Sequence, residues 1–159
     1  MRLKVEFINP FITASIQVLT ELVGGEAEQG QLAVRTAIFT TQQISITVGV
    51  YGDVKGQAIY GMSQVTATKI ASAMMGTHQV AFDEMAMSAI SELGNMISGH
   101  AIMLLSDSGY SCEITPPTVI RGINVEIAAQ IPALVVPLYT RCGKIDVNVA
   151  LVHEALRFP

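Results

Sequence analysis

The sequence predicts an α+β fold, with helices on one or both faces of a largely antiparallel sheet. Three observations predict it. Long helical patterns occur near the start and in the middle of the chain, and a shorter one lies between them. Runs of alternating apolar residues, separated by turn residues, fill the remainder. Half of the 159 residues are hydrophobic, which is enough to build one core. We therefore expect a single domain over residues 1–159.

The composition argues against several classes of protein. A mean hydropathy of +0.47 and a low net charge argue against disorder. The net charge of −4 argues against binding to nucleic acid or to an anionic membrane, because both attract basic surfaces. The longest apolar run, residues 131–139, contains two prolines and is far shorter than the roughly 20 residues of a membrane span. The first residues lack a signal-peptide pattern, so we expect a cytoplasmic location.

The first third of the chain predicts a strand, a helix and further strands. Leu3, Val5 and Phe7 alternate with charged residues, which predicts a short strand over 2–7. Asn9 and Pro10 suit the N-cap and first position of a helix that ends at Gly24. A polar loop over 26–31 and strands over 32–41, 44–50 and 57–62 follow.

Two more helices are predicted from their caps. Ser63 begins a helix that ends at Gly76, and Asp83 begins a longer helix that reaches about Leu105. Strands then follow over 111–114, 124–128, 131–140 and 145–152, with a break at 116–117 and a hairpin between the last two.

Two prolines and a glycine pattern lead to further expectations. Pro132 and Pro137 cannot donate hydrogen bonds, so the strand over 131–140 is expected to be an edge strand or bulged.

Aligning residues 23–25 with residues 97–99 superposes the two long helices in sequence. This alignment suggests a degenerate internal repeat.

Most catalytic and metal-binding patterns are missing from the sequence. His78, His100 and His153 are scattered, and none has a second ligand at a metal-binding spacing. Cys112 and Cys142 are interpreted as reduced thiols. No nucleophile elbow or phosphate-binding loop is present. We expect no metal site and no cofactor of the chain's own.

The eight methionines are interpreted as core residues. Met85, Met96 and Met103 fall on one flank of the long central helix, which is typical of packing positions.

The long central helix has two distinct faces. One carries an apolar stripe: Ala86, Ile90, Leu93 and Ile97. The other carries four small or polar residues: Ser88, Glu92, Asn95 and Gly99. Glu92 and Asn95 are one turn apart, so both side chains can reach one target, and Gly99 leaves room for a partner to approach. On the pattern alone, an ordinary solvated face is the more common explanation.

This helix and its flanks resemble the CheC/CheX family of phosphatases, which act on phosphorylated CheY-type response regulators. The family signature is Asp or Ser, three residues, Glu, two residues, Asn, and a proline a little over twenty residues later. Ser88, Glu92 and Asn95 match it, and the proline falls at Pro116 or Pro117. The opening Asn-Pro-Phe, the region 52–63 and the Pro-Pro-Thr-Val-Ile run are also similar, so the resemblance covers nearly the whole chain.

The resemblance implies a CheC-like fold and one active helix. In CheC members both repeat helices can carry Glu and Asn, but Val18 and Glu21 occupy the aligned positions here, which is the pattern of CheX members. It implies that Asn95 orients a water against an aspartyl phosphate and that Glu92 pairs with a receiver lysine. Ser88, Gly99 and Pro117 would support the site or contact the partner.

The resemblance also implies the partners. The substrate would be a phosphorylated CheY-like receiver domain, in chemotaxis or another two-component pathway, and the receiver would supply the Mg²⁺. Sparse charge and the resemblance together predict a homodimer that pairs through sheet edges. The alternative from another class is a non-catalytic CheC-like interaction module. A small-molecule-binding domain is disfavoured, because the sequence shows no convergent polar cluster.

Overall fold

The computed structural model describes residues 4–35, 38–40, 42–122, 125–128 and 131–153. Its helices are α1 (Val5–Val23), α2 (Gln64–Met75) and α3 (Glu84–Asp107). Its strands are β1 (Glu28–Gln29), β2 (Ala33–Arg35), β3 (Ile38–Thr40), β4 (Ile44–Gly52), β5 (Val54–Met62), β6 (Cys112–Ile114), β7 (Thr118–Arg121), β8 (Glu126–Ala128), β9 (Ala133–Thr140) and β10 (Gly143–His153). The predicted α+β class is confirmed.

One antiparallel sheet organises these elements. The strand order is β1-β9-β10-β5-β4-β6, with β2 also paired to β9 and β7 also paired to β4. Strands β3 and β8 form a separate two-stranded sheet. The long strands β4, β5 and β10 occupy the centre, so the helices have a broad, regular surface to pack against.

The main core lies between this sheet and the helices. As the alternation predicts, Ile44, Ile46, Val48 and Val50 of β4 are all buried on one face. The helices contribute buried residues at helical spacing to the same core, among them Phe7, Phe11, Ile70, Ile90 and Leu93. A smaller apolar cluster on other sheet positions contains Ile59, Ile131, Ala133, Ala150 and Val152.

The prediction for the start of the chain is wrong over the residues that the structure describes. Helix α1 begins at Val5, and Lys4 rather than Asn9 takes the N-cap position. Phe7 and Phe11 are buried one turn apart, so burial of a helical face outweighs the short alternation. Pro10 is inside the helix and buried. Residues 2 and 3 of the expected strand lie outside the described residues.

Most other boundaries are close to those predicted. Gly24 ends α1 with a φ of 72°, Ser63 caps α2, Asp83 caps α3, and the β9–β10 hairpin forms. Four details differ. The loop over 26–31 contains β1, and two strands, β2 and β3, lie within 32–41. Strand β5 begins at Val54, three residues before the predicted start, and β7 falls where no strand is predicted. Residues 36, 37, 41 and 124, which belong to expected strands, lie outside the described residues.

Strand β9 is not an edge strand, because β1 and β2 both pair with its outer side. The carbonyl of Pro137 accepts a hydrogen bond from Gly30 N at 2.8 Å on that side. The nitrogen of Pro137 points the same way, since N–H and C=O of one strand residue share a direction. The pairing of β9 with β10 therefore loses no hydrogen bond at Pro137.

The helix ends do not support the proposed repeat alignment. Helix α3 continues through Ser98 and Gly99 to Asp107, whereas α1 ends at Val23. Val18, which the alignment places opposite Glu92, is buried in the core. The two helices do pack against each other, and the repeat itself stays a prediction.

Two glycines of α3 provide a matched test of how closely this helix approaches the sheet. A Cβ at Gly94 would lie 2.5 Å from Ile46 Cγ2, whereas a Cβ at Gly99 would meet nothing within 4 Å. We expect Gly94→Ala to lower the free energy of unfolding by about 1–3 kcal/mol, because the helix must move off the sheet. Gly99→Ala is expected to raise it by up to about 1 kcal/mol, since alanine favours helix. Urea unfolding measures both, and equal effects would contradict the close approach.

Candidate functional site

The start of α3 is fixed by its cap. Asp83 Oδ1 accepts a hydrogen bond from Ala86 N at 2.9 Å, as the sequence predicts for an N-cap. Glu84 lies in the first turn, where a carboxylate stabilises the positive end of the helix dipole. The cap sets where the helix begins and therefore which residues face outward.

The apolar face of α3 is buried as predicted. Its buried residues are Ala86, Ile90, Leu93, Gly94, Ile97, Ser98, Ala101 and Leu105. Polar Ser98 is the exception among them. Its Oγ lies 2.7 Å from Tyr60 Oη of β5, and both residues are fully buried. Burial raises the pKa of Tyr60 well above its ordinary value, so the phenol stays protonated and the hydrogen bond is retained.

Two contacts therefore fix α3 against the sheet on either side of Asn95. The backbone at Gly94 lies against Ile46 of β4, and Ser98 is hydrogen-bonded to Tyr60 of β5. Both contacts leave the opposite face of the helix free to project outward. The orientation of that face is thus set by packing on two neighbouring strands.

The outward face presents the predicted polar residues. Ser88, Glu92 and Asn95 are exposed, and Gly99 is half-buried. Glu92 and Asn95 are separated by about 4.5 Å along the helix axis, so their head groups lie close together. Neither side chain makes a hydrogen bond or an ion pair with any residue in the described part of the chain. A carboxylate and an amide are thus available to a partner.

A groove borders Glu92 on the side of α2. It has a volume of about 580 Å³ and is lined by Met75, Glu84, Met85, Ser88, Ala89 and Glu92. Two of the residues predicted for the site, Ser88 and Glu92, lie in its wall. The groove is open and shallow, as expected for contact with a protein surface.

Pro117 is held beside the edge of the sheet, and among the described residues it forms no hydrogen bond with Glu92 or Asn95. It lies between β6 and β7, which both pair with β4. Thr115 Oγ1 accepts from Gly49 N at 2.8 Å, and Thr115 N donates to Gly49 O at 2.9 Å, which holds this segment beside β4. Val119 pairs with Ile46, the residue under Gly94. Both strands that flank Pro117 also contact α3 directly.

The interpretation of three methionines as core residues is wrong. Met85 is 65% exposed, Met103 is 64% exposed and Met96 is 36% exposed. Methionine is usually buried, but here the helix turns these side chains to the side of Glu92. The sequence also does not predict the hydrogen bond between Tyr60 and Ser98. Its only signal is a serine among apolar positions, which does not identify a partner.

The other titratable side chains form separate contacts. Within the described residues, no group of three His, Cys, Asp or Glu side chains could hold a metal ion. Cys112 and Cys142 are free thiols, and burial raises the pKa of each. His100 is hydrogen-bonded to Gln17, and His153 packs against the Tyr110 ring at 5.3 Å between centroids.

Among the described helices, none has the length and apolarity needed to cross a membrane.

Sequence comparisons give a consistent match. The family described as "Chemotaxis phosphatase CheX" matches residues 44–139, which include the whole outward face of α3. The chain is 36% identical over 121 residues to the "CheY-P phosphatase CheX" of Thermotoga maritima. That similarity covers 76% of this chain and 78% of the relative.

Solved structures share the fold. The chemotaxis protein CheX of Desulfovibrio desulfuricans is 27% identical with a TM-score of 0.83, over 94% of this chain and 100% of that one. A chain in the CheX-CheY-BeF3-Mg+2 complex of Borrelia burgdorferi is 30% identical with a TM-score of 0.77. It covers 93% of this chain and 99% of its own length. The similarity therefore extends over the helices and the sheet together.

A double-mutant cycle tests the bond that fixes α3. Tyr60→Phe and Ser98→Ala each leave a buried hydroxyl without its partner, so each is expected to lower the free energy of unfolding by about 1–3 kcal/mol. The double variant removes both hydroxyls and is expected to cost less than the sum. Urea denaturation of the four proteins measures the coupling, and simple additivity would show that the two hydroxyls do not interact.

Proposed function

The chain belongs to the chemotaxis phosphatase CheX family, and we propose that it hydrolyses the aspartyl phosphate of a CheY-like receiver domain. One observation carries the proposal: α3 presents an exposed Glu92 and Asn95, both without partners in the described structure, on a helix fixed to the sheet. The similar chain from Borrelia forms a complex with CheY, which supports the choice of partner. A cytoplasmic location is part of the proposal.

The reaction is the hydrolysis of an acyl phosphate. A water oxygen attacks phosphorus in line, the bond from phosphorus to the aspartyl oxygen breaks, and inorganic phosphate and a free aspartate result. Such a transfer depends on positioning and charge stabilisation more than on a covalent intermediate. The reaction therefore requires no Ser or Cys that forms a covalent intermediate.

Asn95 is the proposed water-positioning residue. Its amide carries both donors and an acceptor, so it can hold a water and direct one lone pair of the water oxygen at phosphorus. The side chain is exposed and is located between the Gly94 and Ser98 contacts, which fix its backbone. The helix thus supplies the amide on a rigid support, which is what accurate positioning requires.

Glu92 is the proposed docking residue of the pair. Its carboxylate is exposed one turn before Asn95 and can form an ion pair with a lysine of the receiver beside the phosphoryl group. Drawing that lysine onto Glu92 would open the approach to phosphorus for the water. Glu92 would therefore contribute both to affinity and to the geometry of attack.

Ser88, Gly99 and Pro117 are proposed supporting residues. Ser88 lies one turn before Glu92, and Gly99 lies one turn after Asn95, where a Cβ would project into open space. The absence of a side chain at Gly99 lets the receiver surface approach the helix backbone. Pro117 lies between β6 and β7, which both contact α3 and pair with β4.

The Mg²⁺ of the reaction is proposed to belong to the receiver. The site offers one carboxylate and one amide, and the described residues contain no cluster of metal ligands, so the donor set does not fit a resident ion. The Borrelia complex contains Mg²⁺ together with CheY, which supports this assignment. In this chain, Glu92 and Asn95 of α3 are the residues proposed to take part in the reaction.

The single-site variants test the catalytic assignment. Asn95→Ala is expected to reduce the turnover of phosphorylated receiver by about 100-fold, because the water loses its positioning amide. Glu92→Ala is expected to cost about 2–5 kcal/mol of docking, since a desolvated charge pair loses one partner. Stability should change by less than about 0.5 kcal/mol in either case, because both side chains are exposed. The measurement is phosphate release from a panel of phosphorylated receivers.

Glu21→Gln is the matched control for these variants. Glu21 is an exposed carboxylate on α1 and should leave turnover unchanged. Val18 is less suitable as a control, because it is buried and its replacement would disturb the core. If the Glu92→Ala, Asn95→Ala double variant still accelerates decay of every responsive receiver, α3 is not the active helix. Receiver binding without faster phosphate loss by the parent would favour the non-catalytic interaction module.

We also propose a homodimer. The sheet ends in short strands, β1 and β2 on one side and β6 and β7 on the other, and Val34 of β2 is 65% exposed. Unpaired strand edges with apolar residues favour pairing with a second copy. Light scattering at micromolar concentration should give twice the 17.0 kDa of one chain. A mass of one chain under those conditions would rule out the dimer.

A further inference from the structure

The groove beside Glu92 is lined by both apolar and acidic residues. Its apolar lining consists of Met75 of α2 together with Met85 and Ala89 of α3. Met85 is 65% exposed, so its apolar surface is available to a partner. Its exposure is continuous with Glu92, so the same partner that reaches Glu92 would cover it.

The charges of the groove are all of one sign. Two of its six lining residues are the carboxylates Glu84 and Glu92, and none of the six is basic. The two carboxylates are eight residues apart on α3, or about 12 Å along the helix axis. Carboxylates this far apart are best satisfied by two separate cations, because an ion pair requires contact within about 4 Å. When the proposed lysine pairs with Glu92, the Glu84 carboxylate therefore stays available to a second cation.

We propose that this groove takes a second lysine or arginine of the receiver, with Glu84 binding the cationic head and Met75 and Met85 covering the stem. The inference rests on the function proposed above and adds a specificity pocket to it. The occupant is a side chain on the receiver surface that flanks the phosphorylated aspartate.

The residue types of the groove match this occupant. Lysine and arginine have apolar stems that pack against apolar surface while the charged head reaches a polar group. Methionine side chains are flexible and polarisable, so they adapt to such a stem. The groove is open along its length, as a long side chain entering from a docked partner requires. An anionic occupant is disfavoured by both carboxylates.

Glu84 also has a local role, which the test must separate from docking. It lies in the first turn of α3, where its charge stabilises the helix. Glu84→Gln can therefore shift thermal stability without any effect on a partner. The decisive readout is the division of the effect between KM and kcat for phosphorylated receiver, and its dependence on salt.

The experiment compares Glu84→Gln and Met85→Ala with the parent chain. Each is expected to raise KM about fivefold to tenfold, with kcat changed less than about twofold, because the groove binds but does not react. Glu84→Gln should also make the salt dependence of KM shallower, since one ion pair is lost. Glu84→Asp should restore part of the affinity. Affinity for a receiver loaded with beryllofluoride and Mg²⁺ gives the same comparison without turnover.

Two matched controls are available on this chain. Met103 is 64% exposed on the same helix but lies outside the groove, so Met103→Ala should leave KM unchanged. Glu21→Gln, on α1, controls for the loss of one negative charge. On the receiver side, lysine and arginine residues around the phosphorylated aspartate are changed to alanine one at a time. One of them is expected to lose its effect on KM when combined with Glu84→Gln.

The outcomes separate the two proposals. If Glu84→Gln and Met85→Ala leave KM unchanged, or if Met103→Ala raises it equally, the groove is not a specificity pocket. The inference also fails if no receiver cation couples to Glu84. In these cases loss of turnover in Asn95→Ala would still support the proposed function. If the parent chain accelerates phosphate loss from none of the receivers, both proposals fail together.

Discussion

The close packing of α3 on the central strands is the constraint on which the site depends. At Gly94 the helix backbone comes so near Ile46 that no side chain fits between them, and one turn later Ser98 is hydrogen-bonded to Tyr60. The first contact sets the distance from helix to sheet, and the second sets the rotation of the helix. Asn95 lies between the two, so its outward direction follows from buried contacts.

This arrangement explains how a site on an exposed helix face can be accurate. A side chain on a loop would carry the mobility of the loop, whereas the backbone of Asn95 is fixed by the same packing that forms the core. The Asp83 cap and the Glu84 carboxylate stabilise the beginning of the helix. The two faces of α3 thus differ: one is buried in the core, and the other carries the proposed site.

The faces of this helix are well predicted from the sequence because they depend on local periodicity. The burial of Ile90, Leu93 and Ile97 and the exposure of Glu92 and Asn95 follow from a repeat of 3.6 residues and hold in the structure. The caps at Ser63 and Asp83 are likewise predictable, since capping is a local hydrogen bond.

Predictions that depend on distant residues are less accurate. The charged and apolar residues before Asn9 alternate as in a strand, yet the burial of Phe7 and Phe11 in the core makes them helical. Pro137 suggests an edge strand, but β1 and β2 pair beyond it, and a proline whose nitrogen faces Gly30 is compatible with that position. The partner of Ser98 is likewise a residue 38 positions away, which no local pattern identifies.

The exposed methionine beside Glu92 bears on how the receiver is recognised. The chain has only 14% charged residues, and on α3 the large apolar side chain of Met85 is exposed in the groove beside Glu92. Exposed apolar surface that borders a binding site is typical of a surface that a partner covers. The proposed reaction requires this kind of temporary contact, because the chain contributes an amide and a carboxylate and the receiver contributes the phosphoryl group, the lysine and the Mg²⁺. Because the reacting groups are divided between two proteins, this chain must recognise the receiver through the surface around Glu92 and Asn95. We therefore expect the residues beside Glu92 to determine which receivers it selects.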